Sequence, residues 1–309
     1  AGVGLDAIKL AMVVPGKTRV GWIGTGTMGR WMCEHLLDAG YLVTVYNRTH
    51  EKTKPLRDKG ATVVRSVQEI AENSDVVFTM LGFPRDVRDV YFGETGLLAL
   101  LPRGGTCVDM STSDPALAKE ASMLGIERSV YVVDAPVTGG EVGAREARLS
   151  IMIGGYDPAV QAVMPCLRQM GKNVLLIGPS GSGQHCKMVN QILVATTLVG
   201  VCEGLMYAYR AGLPLETVIQ ATGPGMAGSW GLSNLGPRIV KRNFDPSITV
   251  EHFIKDMSIA LREAEAMGLS LPGLALAHQL YVAVKAQGHT KYGLQALTLA
   301  LEKLNNINH

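Results

Sequence analysis

Only five of the 309 residues are cysteine, and none forms a Cys-x-x-Cys pair or stands at a zinc-ligand spacing from histidine. Cys33, Cys107, Cys166, Cys186 and Cys202 are scattered, which argues against a disulfide framework and a zinc module. A reducing compartment such as the cytoplasm is the expected setting, with an organelle as the alternative. Neither sign of charge dominates: 29 Lys and Arg face 27 Asp and Glu, interspersed, for a net charge of +2. No basic or acidic block marks a nucleic-acid partner or a membrane surface. No unbroken apolar run reaches the roughly 20 residues that span a bilayer. The most apolar stretch, 192–211, contains Gly200 and Glu203 and reads as a buried helix. The segment ahead of Thr18 lacks the cationic start and apolar core of a secretory signal. Internal repeats and low-complexity segments are absent as well, so the expected partner is a small molecule.

What is present is a globular composition, 47% hydrophobic and 18% charged, with 36 glycines that follow no fibrous period. Up to residue 177, short β-branched runs alternate with helical patterns, predicting strands at 19–23, 42–46, 62–64, 76–80, 106–109, 131–134, 149–153 and 174–177. That alternation is the signature of a parallel sheet with crossover helices. After the Pro/Gly/Ser-rich linker 178–183 the pattern becomes helical throughout, at 184–211, 214–222, 259–267, 275–286 and 296–304. The expected fold is therefore a doubly wound Rossmann-type α/β domain, 18–182, followed by an all-helical substrate and oligomerisation domain, 183–309. A long interdomain helix joins them. The apolar surface of the helical part exceeds what one chain can cover, which predicts a homodimer or homotetramer.

Directly after the first strand, Gly24, Gly26 and Gly29 stand as G-x-G-x-x-G at the start of an amphipathic helix. The first glycine permits the tight turn, the second lets backbone approach a pyrophosphate, and the third lets helix pack on strand. Phosphates would meet the free N–H groups of the helix start. An ordinary strand-to-helix turn is the plainer reading, but strand, helix and next strand all stand in order around the motif. The second strand ends in Asn47-Arg48-Thr49, where an NAD enzyme carries a carboxylate for the ribose 2′-hydroxyl. Arg48 can instead pair with a 2′-phosphate, with Asn47 and Thr49 as polar neighbours, so NADP is the expected cofactor and NAD the alternative. Arg48 also reads as a solvated loop cation.

Lys187, Asn190 and Gln191 are spaced three and four residues apart and share one helix face. A lysine can give a proton to a carbonyl oxygen as hydride arrives at the carbon, while a neighbouring amide orients that oxygen. The competing reading is a surface lysine, as most lysines are. Thr138-Gly139-Gly140 reads either as a turn or as a cradle of backbone N–H groups for a carboxylate. Ser111, Thr112 and Ser113 read as ligand contacts or as a helix cap before Pro115. Trp230 reads as a pocket wall or a buried interface residue.

Three segments together resemble the β-hydroxyacid dehydrogenase family, over nearly everything from Arg19 to Leu304. They are Gly24-Thr25-Gly26-Thr27-Met28-Gly29, then Asp134-Ala135-Pro136-Val137-Thr138-Gly139-Gly140, and the turn 178–183 leading to Lys187, Asn190 and Gln191. Thr138 replaces the family's usual serine and keeps its hydroxyl, Gly82 replaces a frequent proline, and Gln191 stands where many members carry asparagine. Asn followed by Gln is the tartronate semialdehyde reductase pattern, and 227–229, 242–244 and 252–256 lean the same way. The resemblance implies hydride transfer between NADP(H) and a small β-hydroxy acid or its semialdehyde, of the 3-hydroxyisobutyrate or tartronate semialdehyde (2-hydroxy-3-oxopropionate) kind. Lys187 would be the general acid and base. It further implies that Thr27 and Met28 lie with the glycines against the cofactor, that Leu81 and Gly82 line its nicotinamide half, and that Thr112 and Lys255 contact it. Ser111, Thr138, Gly139, Gly140, Asn190 and Gln191 would hold the substrate. Glyoxylate or succinic semialdehyde reduction is the alternative activity. A non-catalytic cofactor-binding module, a decarboxylating sugar-acid dehydrogenase and an imine reductase fit less well, the last because it lacks the lysine. No metal is implied.

Overall fold

The run Val76-Val77-Phe78-Thr79 offers no polar face to solvent, and both of its sides are covered. Val76 and Phe78 join one apolar cluster with Trp22, Met32, Leu36 and Val163, while Val77 joins another with Ile70, Tyr91, Leu97 and Ala121. Strands buried on both faces are what a parallel sheet flanked by helices requires. Each such large side chain, fully buried, contributes roughly 1.5–3 kcal/mol.

The computed structural model describes residues 10 and 12–307. Most of the segment ahead of Thr18, where no secretory signal is expected, and the last two residues of the expected helical domain lie outside them. The chain forms two compact units, one ending at Lys187 and one beginning at Met188. The first builds β1 (Arg19–Ile23), α1 (Gly29–Asp38), β2 (Leu42–Tyr46), α2 (Lys54–Asp58), β3 (Thr62–Val63) and α3 (Val67–Glu72). It continues with β4 (Val76–Thr79), α4 (Pro84–Tyr91), α5 (Leu97–Leu100), β5 (Thr106–Asp109), α6 (Pro115–Glu127) and β6 (Tyr131–Asp134). The last elements are β7 (Val137–Thr138), α7 (Gly140–Arg145), β8 (Leu149–Gly154), α8 (Asp157–Met170) and β9 (Gly171–Gly178).

The strand order is β3-β2-β1-β4-β5-β6-β8-β7, with β9 on β8. From β3 to β6 every pairing is parallel, with Val20 opposite both Val43 and Val76. The chain winds outward from β1 to β3 and then crosses to β4, which opens a crevice beyond the carboxyl ends of β1 and β4. The sheet is parallel as expected except at the far edge. There β8 runs antiparallel to β6 and to β7, a two-residue strand absent from the sequence-based assignment. No long crossover helix separates these strands, and connections this short return the chain antiparallel.

α9 (Ser182–Arg210) carries the boundary between the units. Beyond it the second unit comprises α10 (Leu215–Thr222), α11 (Gly236–Val240), α12 (Val250–Ala266), α13 (Pro272–Ala286) and α14 (Leu297–Leu304), with short helical turns between and no strand among the described residues. One stripe of α9, Ala195, Leu198, Cys202 and Leu205, packs into a core with Phe253, Met257 and Tyr281. The opposite side corrects the expectation of a buried helix, because Val189, Leu193 (61% exposed) and Tyr207 (76% exposed) face outward. A helix apolar all round needs two covered faces, and among the described residues only one is supplied. α12 is longer than expected because Thr249 caps it, accepting from the His252 backbone N–H.

Candidate active site

β1 delivers the glycine turn to the crevice. Gly24 has φ +101°, and a Cβ there would lie 2.1 Å from the Met80 carbonyl oxygen; one on Gly29 would lie 2.1 Å from the oxygen of Gly24. Those two glycines are demanded by the protein itself. A Cβ on Gly26 would meet nothing within 4 Å, so the middle glycine faces open space where a pyrophosphate can approach backbone. The buried Trp22 fixes the turn from beneath, its indole N–H donating to Gly24 O at 2.8 Å. Thr27 is exposed and Met28 half-buried.

The loop after β2 is tied to this turn. Thr25 N–H donates to Asn47 Oδ1 at 2.9 Å, and Asn47 Nδ2 donates to Thr49 O at 2.8 Å. The Asn47 amide thus braces the loop itself, leaving Arg48 and Thr49 as the groups that project from it. Arg48 is 87% exposed in its side chain and lies 3.4 Å from Asp86 of α4.

The loops after β4 and β5 are organised by Asp109. Its Oδ1 accepts from Thr79 Oγ1 at 2.9 Å and from Ser111 N–H at 3.1 Å. The Ser111 hydroxyl then accepts from the Leu81 backbone N–H at 2.8 Å. Ser111, expected against substrate, is fully buried beneath the loop, whereas Leu81, Gly82 and Thr112 are half-buried. The alternative reading of 111–113 as a helix cap is corrected: Asp114 caps α6, accepting from Ala116 N–H.

Lys187, 4% exposed, is not a surface lysine. Its Nζ donates to Val137 O at 2.8 Å, which places the ammonium against the segment carrying Thr138, Gly139 and Gly140. Both glycines have positive φ, +134° and +63°, so this segment takes a path that side chains with a Cβ rarely follow. Asp134 and the turn 178–183 put Lys187 there. The Asp134 carboxylate accepts from the N–H groups of Gly181, at 2.8 Å, and Gln184, at 2.9 Å, at the start of α9. A Cβ on Gly183 would lie 2.5 Å from Met152 O and 2.8 Å from Asp134, which explains the glycine. Burial pushes the Asp134 carboxyl up to about 6, with help from Asp109, although the two N–H donors pull the other way.

In the second unit, Asn190 Nδ2 donates to Gln191 Oε1 at 2.8 Å, and Gln191 Nε2 donates to Asp256 Oδ2 at 2.7 Å. Lys255 Nζ lies 2.8 Å from the other Asp256 oxygen. Two expected site residues, Gln191 and Lys255, therefore meet on Asp256, and Asn190 joins them through Gln191. Asp256 was read only as part of the stretch 252–256, and its signal is the Lys-Asp pair inside an amphipathic helix. Asp109 and Asp134 were also missed as organisers, and theirs is a carboxylate closing an otherwise apolar strand. Trp230 is 64% exposed in the chain, so it is not buried there.

Against known proteins, residues 19–178 match the family described as the NAD binding domain of 6-phosphogluconate dehydrogenase. Residues 181–301 match that described as the NAD-binding part of NADP-dependent 3-hydroxyisobutyrate dehydrogenase. The Arabidopsis thaliana protein named "Probable 3-hydroxyisobutyrate dehydrogenase-like 1, mitochondrial" is 49% identical over 98% of this chain and 91% of its own length. Escherichia coli 2-hydroxy-3-oxopropionate reductase is 37% identical over 93% of this chain and 98% of its own. The crystal structure of 3-hydroxyisobutyrate dehydrogenase from Salmonella typhimurium is similar with a TM-score of 0.83 at 26% identity, covering 91% of this chain and 98% of that one. With the glycine turn, the lysine helix and these likenesses in agreement, the chain belongs to the β-hydroxyacid dehydrogenase family of NAD(P)-dependent oxidoreductases.

Proposed function

We propose that this enzyme transfers hydride between NADP(H) and a small β-hydroxy acid or its semialdehyde, of the 3-hydroxyisobutyrate or 2-hydroxy-3-oxopropionate type, with Lys187 as general acid and base. The observation that carries the reading is the buried Lys187 Nζ, held 2.8 Å from Val137 O beside Thr138-Gly139-Gly140. When bound, the cofactor supplies or accepts the hydride. Gly24, Gly26, Thr27, Met28 and Gly29 would hold its pyrophosphate, Arg48 and Thr49 its 2′-phosphate end, and Leu81, Gly82 and Thr112 its nicotinamide half. In reduction, Lys187 gives a proton to the carbonyl oxygen as hydride reaches the carbonyl carbon; in oxidation it takes that proton back. The backbone N–H groups of 138–140 suit the substrate carboxylate, and the neutral amides of Asn190 and Gln191 suit its hydroxyl or carbonyl oxygen. Lys255 keeps the cofactor role that family resemblance gives it. In this reading residues 18–182 form the cofactor domain, and 183–309 form the substrate and oligomerisation domain of a homodimer or homotetramer in a reducing compartment, the cytoplasm or an organelle.

Lys187→Ala is expected to leave the cofactor dissociation constant unchanged and to lower kcat by about 10²–10⁴-fold, the usual contribution of a positioned general acid. Lys187→Arg should be nearly as impaired, since arginine keeps the charge but does not release a proton near neutral pH. The assay uses NADPH with tartronate semialdehyde and methylmalonate semialdehyde. Substantial turnover in Lys187→Arg, with a raised KM as the main defect of Lys187→Ala, would instead make Lys187 an electrostatic anchor.

A further inference from the structure

One turn before Lys187 on α9, Gln184 is completely buried and uses both ends of its amide on one loop. Its Oε1 accepts from Ser113 N–H at 2.9 Å, and its Nε2 donates to Ser111 O at 2.8 Å. The pair of bonds brackets Thr112. The Gln184 backbone N–H meanwhile donates to Asp134, and Ser111 passes the connection on by accepting from Leu81 N–H. A single side chain thus joins the lysine helix to the loops after β4 and β5. The loop presents an acceptor and a donor side by side, and a primary amide answers both with an acceptor and a donor of its own. Glutamate at this position has no donor when ionised, leucine has neither group, and asparagine is one methylene shorter.

We infer that Gln184 is a positioning residue that fixes the loop 111–113, and through it the nicotinamide end of the cofactor, in register with Lys187. The inference rests on the cofactor role proposed for Thr112 and the proton-transfer role proposed for Lys187. Gln184 touches neither the reacting atoms nor the glycine turn 24–29. Its loss should therefore disturb one half of the dinucleotide and spare the other.

The test compares Gln184→Glu and Gln184→Met with the parent enzyme, titrating NADP⁺ and 2′-phospho-ADP-ribose, which lacks the nicotinamide, by calorimetry. At pH 8 the buried carboxylate of Gln184→Glu faces the Ser111 carbonyl without a proton, and NADP⁺ should bind roughly ten- to a hundredfold more weakly, the range expected for leaving such a group unpaired. The fragment should keep its affinity within about twofold, because its contacts are untouched. As pH falls toward 5.5, protonation restores an O–H donor to Ser111 O while the other oxygen still accepts from Ser113, so Gln184→Glu should recover relative to the parent. Gln184→Met, which cannot titrate, should show the same split between NADP⁺ and fragment at every pH. It also keeps the inference testable if the glutamate variant does not fold. Equal weakening of both ligands, unchanged binding of NADP⁺, or loss in the glutamate variant that ignores pH would overturn the inference. These readouts need no turnover, so a failure of the Lys187 proposal, seen as retained rate in Lys187→Arg, is a separate result.

Discussion

At the scale of single residues, the proposed preference for NADP turns on how Arg48 is held. Its pairing with Asp86 is long, at 3.4 Å, and the guanidinium side is largely in solvent although Asp86 is mostly covered, so the pair contributes little and yields readily to a better anion. A 2′-phosphate is such an anion, with more charge and bidentate acceptors. Arg48→Ala should raise the KM for NADPH by about tenfold or more, in keeping with a charge-assisted bond, while that for NADH changes little. Asn47→Asp should shift preference toward NADH. Aspartate still accepts from Thr25 N–H but loses the bond to Thr49 O and brings a carboxylate to the loop. Equal use of both cofactors by the unmodified enzyme would refute the assignment. The placement of Arg48 in the loop after β2 was legible in the sequence, because it depends only on position after a strand, and its cofactor role is part of the proposal. Gln184 was not singled out, and for Gln191 the sequence suggested a site but not its partner, because the groups that define them lie 71 and 73 residues away for the first and 65 for the second. An amide in a helix announces polarity but not its partner.

At the scale of elements, the strands that position the cofactor turn were readable because each is a β-branched run bounded by turn residues. Four of them, β1, β2, β5 and β6, have the expected bounds. Direction and pairing were not readable: β7 is two residues long, and its antiparallel contact with β8 depends on the chain's return path rather than on any local pattern. The start of α9 shows what such long-range fixing costs. Asp134 ionises near 3.8 in the unfolded chain and near 6 in the folded one, chiefly because burial disfavours its charge. Between those values the folded protein retains a proton that the unfolded chain has lost, so this carboxyl favours folding increasingly as pH falls through 6 toward 4. Above 6 the buried charge costs about 3 kcal/mol. Asp134→Asn removes the titration while sacrificing one acceptor for the α9 amides, a loss that does not vary with pH. The Tm of the variant minus that of the parent should therefore become more favourable to the variant as pH rises from 4 to 7. A difference that stays flat across this range would show that Asp134 is not the group responsible.

At the scale of the whole molecule, the change of character after residue 183 was legible because helical periodicity simply replaces strand alternation. The long apolar helix was read as buried and, with the helices after it, as carrying more apolar surface than one chain covers; the first half of that reading needs correction, since composition shows that a helix must be covered but not by what. In α9 the buried stripe Ala195, Leu198, Cys202 and Leu205 satisfies one face, and Val189, Leu193 and Tyr207 leave the other apolar and exposed. A second copy of the chain is the proposed cover, since self-association about a two-fold axis is the commonest way for soluble proteins to bury such a surface. Leu193→Glu tests this with little risk to the fold, because its side chain lies outside the core of the helical unit. A charge buried without a partner at the centre of an interface costs several kcal/mol, enough to raise a dimer dissociation constant by about a thousandfold or more. Light scattering at micromolar concentration should then give a dimeric or tetrameric mass for the parent and a smaller one for Leu193→Glu, with unchanged helical circular dichroism. A monomeric parent, or a variant that keeps the parent's mass, would show that the exposed face of α9 is not the interface.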